Sequence, residues 1–376
     1  MYKMSSDILS LYDACAPQAV FMIVEGVEGL TSITGADILR GSFALERSCF
    51  PDGSSFIGEA AAAEMVFTLS NRRGKFTGIK LEGARLTVSV GVRESVNVPF
   101  HLLPMGVFTV DEAPRSGYDI HVSALDNLAL TDRPYVPSVS FPATHRQIAA
   151  DACTQCGLTL SEEAFLGDGE TAQAIPQGEG VTCRRVLRWI AACAGGNAYA
   201  DWFGAIRIGW LTHTDIHVTP ANRYDSELSD EALTVTGVRF SAMDGTIEAV
   251  GSPGYVIGVR ENQLIQYVPF SLATSIAAQV VGFTYRPFSA ECRPMPYLWP
   301  MDTVTFAERD GTEHRVTVSA VTYTLNGRTT LRCEGAGGTV FDKLYTDTAN
   351  FTVNASETSA VSGEPTATEQ EETNHA

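Results

Sequence analysis

The chain has 376 residues, a length that corresponds to two or three domains. Hydrophobic residues make up 44 % and charged residues 19 %, ample for packed cores and too little charge for a coiled coil or a disordered chain. Lys and Arg number 26 against 44 Asp and Glu, a net charge of −18, which excludes a protein that grips duplex DNA through a basic face.

No window approaches the roughly 20 apolar residues of a membrane helix. The longest apolar stretch near the start, Val20-Phe-Met-Ile-Val24, is strand length, and the opening MYKMSSDILSLYDA lacks the apolar run of a secretory signal. Residues 20 to 124 read as strands. Glu64-Met-Val-Phe-Thr-Leu-Ser70, Leu86-Thr-Val-Ser-Val-Gly-Val92 and Tyr118-Asp-Ile-His-Val-Ser123 alternate with period two. Turns at Pro51-Asp52-Gly53, Asn71-Arg-Arg-Gly74, Pro104-Met-Gly106 and Arg115-Ser-Gly117 separate them, the pattern of half-buried antiparallel strands in a barrel or sandwich.

After Pro134 the period changes. Thr144-His-Arg-Gln147 has the form of a capping box, Ile148, Ala149, Ala152, Cys153 and Cys156 share one helical stripe, and Gly157 is placed to end it. A second helix starts near Thr182, turns Val186, Trp189, Ile190 and Cys193 inward, and stops at Gly195-Gly196. Asn197 to Leu211 returns to strand with Gly204 as the hairpin turn, which makes 130–225 a small α+β unit. Leu233–Phe240 and Gly254–Val259 are then strands around an Asp244-Gly245 turn. One helix intervenes, with Ser271 as N-cap, Leu272, Ile276 and Val280 on one face, and Gly282 beyond. Asp302–Phe306, Arg315–Leu325 and Arg328–Cys333 complete a second β region, with hairpin signals at Asp310-Gly311 and Asn326-Gly327. The Ser, Thr and Glu-rich stretch from Ser356 reads as a flexible tail. The fold class is mainly β, with two antiparallel barrel-like domains flanking a small α+β domain. The divisions are an arm over 1–18, β domains over 19–129 and 226–340, the insertion over 130–225 and an acidic tail over 341–376.

Motifs that carry chemistry are missing. There is no GxSxG elbow, HExxH helix, P-loop or EF-hand, and Gly335-Ala-Gly-Gly338 is not a dinucleotide fingerprint. Cys153-Thr-Gln-Cys156 with Cys183 and Cys193 offers four thiols, but the last two are ten residues apart and the first two lie on an apolar helix face. Eight Cys without a repeating spacing read as reduced, buried thiols made in a cytoplasm. His213 and His217 flank Asp215 on an exposed loop or edge strand, and Asp111-Glu112, Glu162-Glu163 and Asp230-Glu231 read as solvated pairs. No catalytic residue, cofactor or metal is called for.

Several ordered segments nevertheless resemble one family. They are Ile33-Thr-Gly-Ala-Asp-Ile-Leu-Arg-Gly-Ser42, the Ala63-to-Asn71 strand, Pro104-Met-Gly-Val-Phe-Thr-Val-Asp111 and His121-Val-Ser-Ala-Leu-Asp-Asn127. Further along come Thr182-Cys-Arg-Arg-Val-Leu-Arg-Trp-Ile-Ala191, Asp201–Ile208, Val256–Leu264, Tyr285-Arg-Pro-Phe288, Pro300-Met-Asp-Thr-Val304 and Asn326-Gly327. In this order they are similar to the tail-tip (baseplate) hub proteins of tailed bacteriophages and prophages, related to the N-terminal part of tail-associated lysins. The segments span about Ile33 to Gly335. Asn262-Gln-Leu264 departs from the family's Asn-Pro-Leu, and the chain ends in a short acidic tail where many relatives continue into a fibre, peptidase or hydrolase.

The resemblance implies a homotrimer in which two β-barrels per subunit make a pseudo-sixfold ring. Its implied partners are the distal tail protein ring, the tail tube and tape measure proteins, and a separate tip fibre or receptor-binding protein. It also implies placement at the virion tail tip after synthesis in the host cytoplasm, with DNA passing an acidic channel without sequence-specific binding. Phe288, Met295, Tyr297, Leu298 and Trp299 are candidates for contacts between protomers, with core packing beside the preceding helix as the other reading. Two alternatives come from other classes, a tail-associated cell-wall hydrolase or peptidase, and an adhesin for host surfaces.

Overall fold

A computed structural model of the chain describes residues 1–49, 56–176, 178, 180–241, 247–259, 262, 264, 270–333 and 339–341. The expected turns at Pro51-Asp52-Gly53 and Asp244-Gly245, the Gly335–Gly338 cluster and the acidic tail lie outside the described residues.

Antiparallel strands dominate. In the first lobe, Gln18–Glu25, Arg85–Val92, His101–Glu112, Asp119–Asp126 and Glu64–Ser70 pair in that spatial order. The segment 32–39 touches both ends of this run. Ser32–Thr34 pairs with Gln18–Glu25, while Leu39 N–H donates to Thr68 O (2.8 Å) and Ser70 N–H to Asp37 O (2.9 Å). Backbone pairing therefore runs around the lobe as in a barrel, which removes its exposed edges. The alternation read in the sequence is the inside–outside pleat: Met65, Phe67 and Leu69 are buried while Glu64 and Val66 face out.

The strand Ala44–Ser48 belongs to both lobes. It pairs antiparallel with Glu64–Ser70 on one side and with Ala320–Thr324 on the other, with Leu45 opposite Tyr323 and Arg47 opposite Val321. From there the sheet continues through Thr329–Cys333 and Phe288–Cys292 to Arg223–Leu228, making twelve strands in one sheet. Two smaller sheets complete the second lobe. One joins Thr212–Val218, Asp302–Ala307 and Glu313–Thr317, and the other centres on Leu233–Ser241.

Four details differ from the sequence reading. Pro104-Met-Gly106, expected as a turn, lies within the strand His101–Glu112, where the register shifts between Val88 and Ser89 of the neighbouring strand and Gly106 takes φ +111°. The antiparallel neighbour of Leu233–Ser241 is Ile247–Gly251, and Gly254–Val259 lies on its other side and runs parallel. The stretch expected as one strand over Arg315–Leu325 breaks at Val318 and Ser319, which switch the chain between sheets. The fourth helix begins at Phe270, so Ser271 lies inside it and is not its N-cap.

Four helices are present among the described residues: α1 (Ser6–Asp13), α2 (His145–Gln155), α3 (Cys183–Cys193) and α4 (Phe270–Val280). The capping box of α2 forms as read, with Gln147 N–H donating to Thr144 Oγ1 (3.1 Å) and Thr144 N–H to Gln147 Oε1 (2.9 Å). Thr182 caps α3, whose residues Val186, Trp189, Ile190 and Cys193 are buried, and Gly195 ends it at φ +61°. One main hydrophobic cluster runs through both lobes and the helices, so the insertion is packed onto the β framework rather than tethered beside it.

Candidate assembly surfaces and the seam between the lobes

A buried polar cluster lies where the two lobes meet. Arg47 follows Leu45 on the inward face of the shared strand, so the pleat carries a guanidinium into the core, where it is only 3 % exposed. It donates to Met105 O of the first lobe and lies 4.1 Å from the ring centre of Trp299 and 5.4 Å from that of Trp202. The two indoles meet edge to face at 4.2 Å, and Tyr2 packs on Trp202 at 5.4 Å. A buried cation against the buried Trp299 indole, with the half-buried Trp202 beside it, gains cation–π attraction that water would otherwise screen. First lobe, insertion, second lobe and N-terminal arm thus converge on one side chain.

Two carboxylates accompany it. Asp126 caps the short 3-10 turn Asn127–Thr131 by accepting from Leu128 N–H (2.9 Å). Burial pushes its pKa up to about 6, against the opposing pull of backbone donors, Arg47 and Arg184. Burial also pushes Arg47 down to about 9, so it remains charged at neutral pH. Asp302 accepts from Trp299 N–H (2.8 Å) through Oδ2 and from the Met1 amino group (2.5 Å) through Oδ1. Its pKa is raised by burial and held back by that ammonium. Each of these groups is held by backbone or terminal partners, Arg47 by Met105 and Asp302 by Met1 among them, so the seam ties the lobes and the N-terminal arm together.

The five residues proposed for protomer contacts lie against this chain's own core. Phe288 meets Phe306 edge to face at 6.2 Å, and the backbone N–H of Met295 donates to Thr329 Oγ1 (2.8 Å). Tyr297 packs on Tyr12 of α1 at 5.8 Å and accepts from Tyr2 N–H through its carbonyl (2.9 Å). Leu298 is fully buried, and Trp299 lies under Arg47. The burial read in the sequence is therefore met inside one subunit, as packing between the second lobe and the N-terminal arm.

Other sequence candidates do not assemble into chemistry. Cys153, Cys156 and Cys183 gather where the end of α2 meets the start of α3. Burial pushes the thiols of Cys153 and Cys183 up to about 12, which disfavours the nucleophilic thiolate. Cys193 lies elsewhere and receives a hydrogen bond from Asn262 Nδ2 (3.6 Å). No group of three His, Cys, Asp or Glu among the described residues has the geometry to hold a metal. His213 and His217 sit on the strand Thr212–Val218, against Thr303 Oγ1 (3.0 Å) and Glu313 (3.7 Å) respectively. The pairs Asp111-Glu112, Glu162-Glu163 and Asp230-Glu231 are exposed. A cleft of about 270 Å³ beside α3 holds Arg188 and Glu59, but these pair with each other at 2.9 Å.

The outer surface is more informative. On one sheet face Ile23 (61 % exposed) and Leu102 (59 % exposed) lie near the edge-to-face pair Phe21–Phe100, whose rings are 5.2 Å apart. Phe203 projects from the insertion's hairpin next to Gly204, whose φ is +84° and whose carbonyl accepts from Asn127 Nδ2 (2.6 Å). No helix among the described residues is long and apolar enough to cross a membrane.

This architecture occurs in solved structures. The 43 kDa tail protein of prophage MuSo2 from Shewanella oneidensis superimposes with a TM-score of 0.53 at 15 % identity, over 84 % of this chain and 97 % of that chain. A tail protein from Neisseria meningitidis MC58 matches with a TM-score of 0.53 at 12 % identity, over 84 % and 96 %. No protein-family model matches the sequence. No curated protein matches it either. At these identities the likeness is one of fold: this chain folds as these tail proteins do, which meets the sequence resemblance to phage tail proteins at that level.

Proposed function

We propose that the chain is a structural hub of a phage tail tip. Three copies make a ring that joins the tail tube and distal tail protein to the tip and lines or closes the channel through which DNA leaves. The observation that carries this reading is the fold, which the MuSo2 tail protein shares over nearly its whole length. The strand Ala44–Ser48 supports it mechanically, because a sheet common to both lobes transmits load without a flexible linker. The lobes of 19–129 and 226–340 serve as the ring segments, with 130–225 set against them. The stretch from Phe288 to Trp299 stiffens each segment from within.

In this reading the tape measure and tube contact one side of the ring, and a separate fibre or receptor-binding protein the other. The net charge of −18 suits a channel that DNA must slide through, because an acidic wall repels phosphates instead of retaining them. The protein works in the virion after synthesis in the bacterial cytoplasm, and no catalytic step is assigned to it. Gold-labelled antibody against the chain, applied to intact particles, tests the placement. Label confined to the tail tip is the expected result; label on the head, or particles without label, would overturn it.

A further inference from the structure

The cations of this acidic chain are unevenly placed. Arg72, Arg73, Lys75 and Lys80 fall in one exposed connection between the strands Glu64–Ser70 and Arg85–Val92. That loop is built to hold its shape. Asn71 Oδ1 accepts from Phe76 N–H (2.8 Å), the Phe76 ring is buried, and Arg115 donates to the carbonyls of Phe76 (3.0 Å) and Ile79 (2.5 Å). Lys75 is tied to Asp37 (2.7 Å) and Ser32 O (3.1 Å). Arg72, Arg73 and Lys80 make no ion pair among the described residues, and Glu82 beside them offsets only part of the charge.

The opposite charge collects at the far end of the twelve-stranded sheet. Its last strand, Arg223–Leu228, pairs only with Phe288–Cys292, so among the described residues its second backbone edge is open. Asp225, Glu227, Asp230 and Glu231, on this strand and the turn after it, are exposed and make no ion pair among the described residues. Arg223, Arg286 and Arg328 lie at this edge as well, but among the described residues none of them pairs with the four carboxylates. Arg223 donates to Ala307 O (2.6 Å) and covers Phe306, Arg286 donates to the carbonyls of Ser229 and Asp230, and Arg328 pairs with Glu291. Tyr224, 55 % exposed, lies at the same edge, with the Arg328 guanidinium 4.7 Å from its ring centre.

Five strand-to-strand steps separate this edge from the strand that leads into the basic loop, roughly 24 Å along the sheet at about 4.8 Å per step. At physiological salt, charges beyond about 8 Å are largely screened, so the two patches do not neutralise each other within one subunit. A second copy brings them together. A contact between two different patches of the same chain is heterologous, and heterologous contacts that close make rings. We infer that the basic loop Arg72–Lys80 of one copy docks on the acidic edge strand Arg223–Leu228, and the turn after it, of the next. This docking rests on the proposed ring.

The test uses the full chain with Arg72→Glu and Arg73→Glu in one variant, Glu227→Arg and Glu231→Arg in a second, and all four in a third. Self-association is read by sedimentation at low and high salt. Each reversed pair alone weakens low-salt association about tenfold or more, and the fourfold variant recovers most of it. Association unchanged by either reversal, or lost by both and not recovered in the combination, overturns the docking. Retention on duplex DNA runs in parallel: loop reversal that abolishes DNA retention yet leaves self-association intact also overturns it, in favour of a phosphate polymer. A stable ring indifferent to both reversals removes only this docking, whereas a parent chain that stays monomeric at every concentration and salt removes the ring as well.

Discussion

Removing the guanidinium of Arg47 by Arg47→Met keeps an unbranched side chain under Trp299 but takes away the buried cation that faces Asp126. In the parent protein burial raises the Asp126 carboxyl from 3.8 to about 6, a difference of about 3 kcal/mol between its two protonation states. Because the folded value is the higher one, this contribution is fully present below 3.8 and is lost as pH rises through about 6. Without Arg47 the carboxyl pKa rises further, so the variant suffers most where Asp126 must be ionised. Arg47 makes no ion pair with Asp126 among the described residues, so what is lost is its longer-range attraction and the bond to Met105 O, about 1–3 kcal/mol, which is the expected deficit at about pH 7.5 in urea unfolding. At about pH 4 Asp126 is neutral in the folded state, and the part of the deficit that comes from the lost attraction disappears. Asp126→Asn, which keeps the oxygen that accepts from Leu128, gains about 3 kcal/mol relative to the parent between those limits. A deficit of equal size at both pH values, or an Asp126→Asn variant with the parent's pH slope, would refute the buried-charge account.

Other substitutions probe separate links. Thr144→Ala removes the side-chain half of the α2 capping box and lowers stability by about 1 kcal/mol in thermal melts. Gly196→Ala places a Cβ 2.3 Å from Gly209 O, forces the hairpin Asn197–Ala200 and Ile206–Gly209 apart, and costs about 1–3 kcal/mol by the same assay. Trp299→Ala empties the seam, costs about 3–5 kcal/mol, and exposes the N-terminal arm to early proteolysis. With a thiol reagent Cys15, the exposed cysteine, reacts first, and the seven buried thiols follow only on unfolding.

What could be read from the sequence is what depends on neighbours in the chain. The strand Glu64–Ser70 has the bounds its alternation implies, and the α2 cap and the Gly195 stop of α3 form as their residue types require. The hairpin at Asn326-Gly327 forms as well, but with positive φ (+53°) at Asn326 and not at Gly327, so it is a four-residue connection rather than a two-residue type I′ turn. Features that depend on distant segments were not legible. The pairing of Ala44–Ser48 with Ala320–Thr324 joins positions more than 270 residues apart, and neither segment differs in pattern from an ordinary half-buried strand. Arg47 carried no signal either, because a charge within a strand reads as a solvated position unless its aromatic partners are known. Helix α1 is only eight residues long, too short for Ile8, Leu9, Leu11 and Tyr12 to establish a helical period, and it is held by Tyr12 against Tyr297. The aromatic content from Tyr285 to Trp299 signalled burial correctly, but composition alone does not say whether another protomer or the same chain supplies the cover.

Native mass spectrometry of the purified full-length chain, over a range of concentrations and at low salt, puts the central claim to the most direct trial. A principal species at three times the 40.4 kDa chain mass is the result this account predicts. A lone 40.4 kDa species throughout, even with the proposed tube and distal tail proteins added, would contradict it.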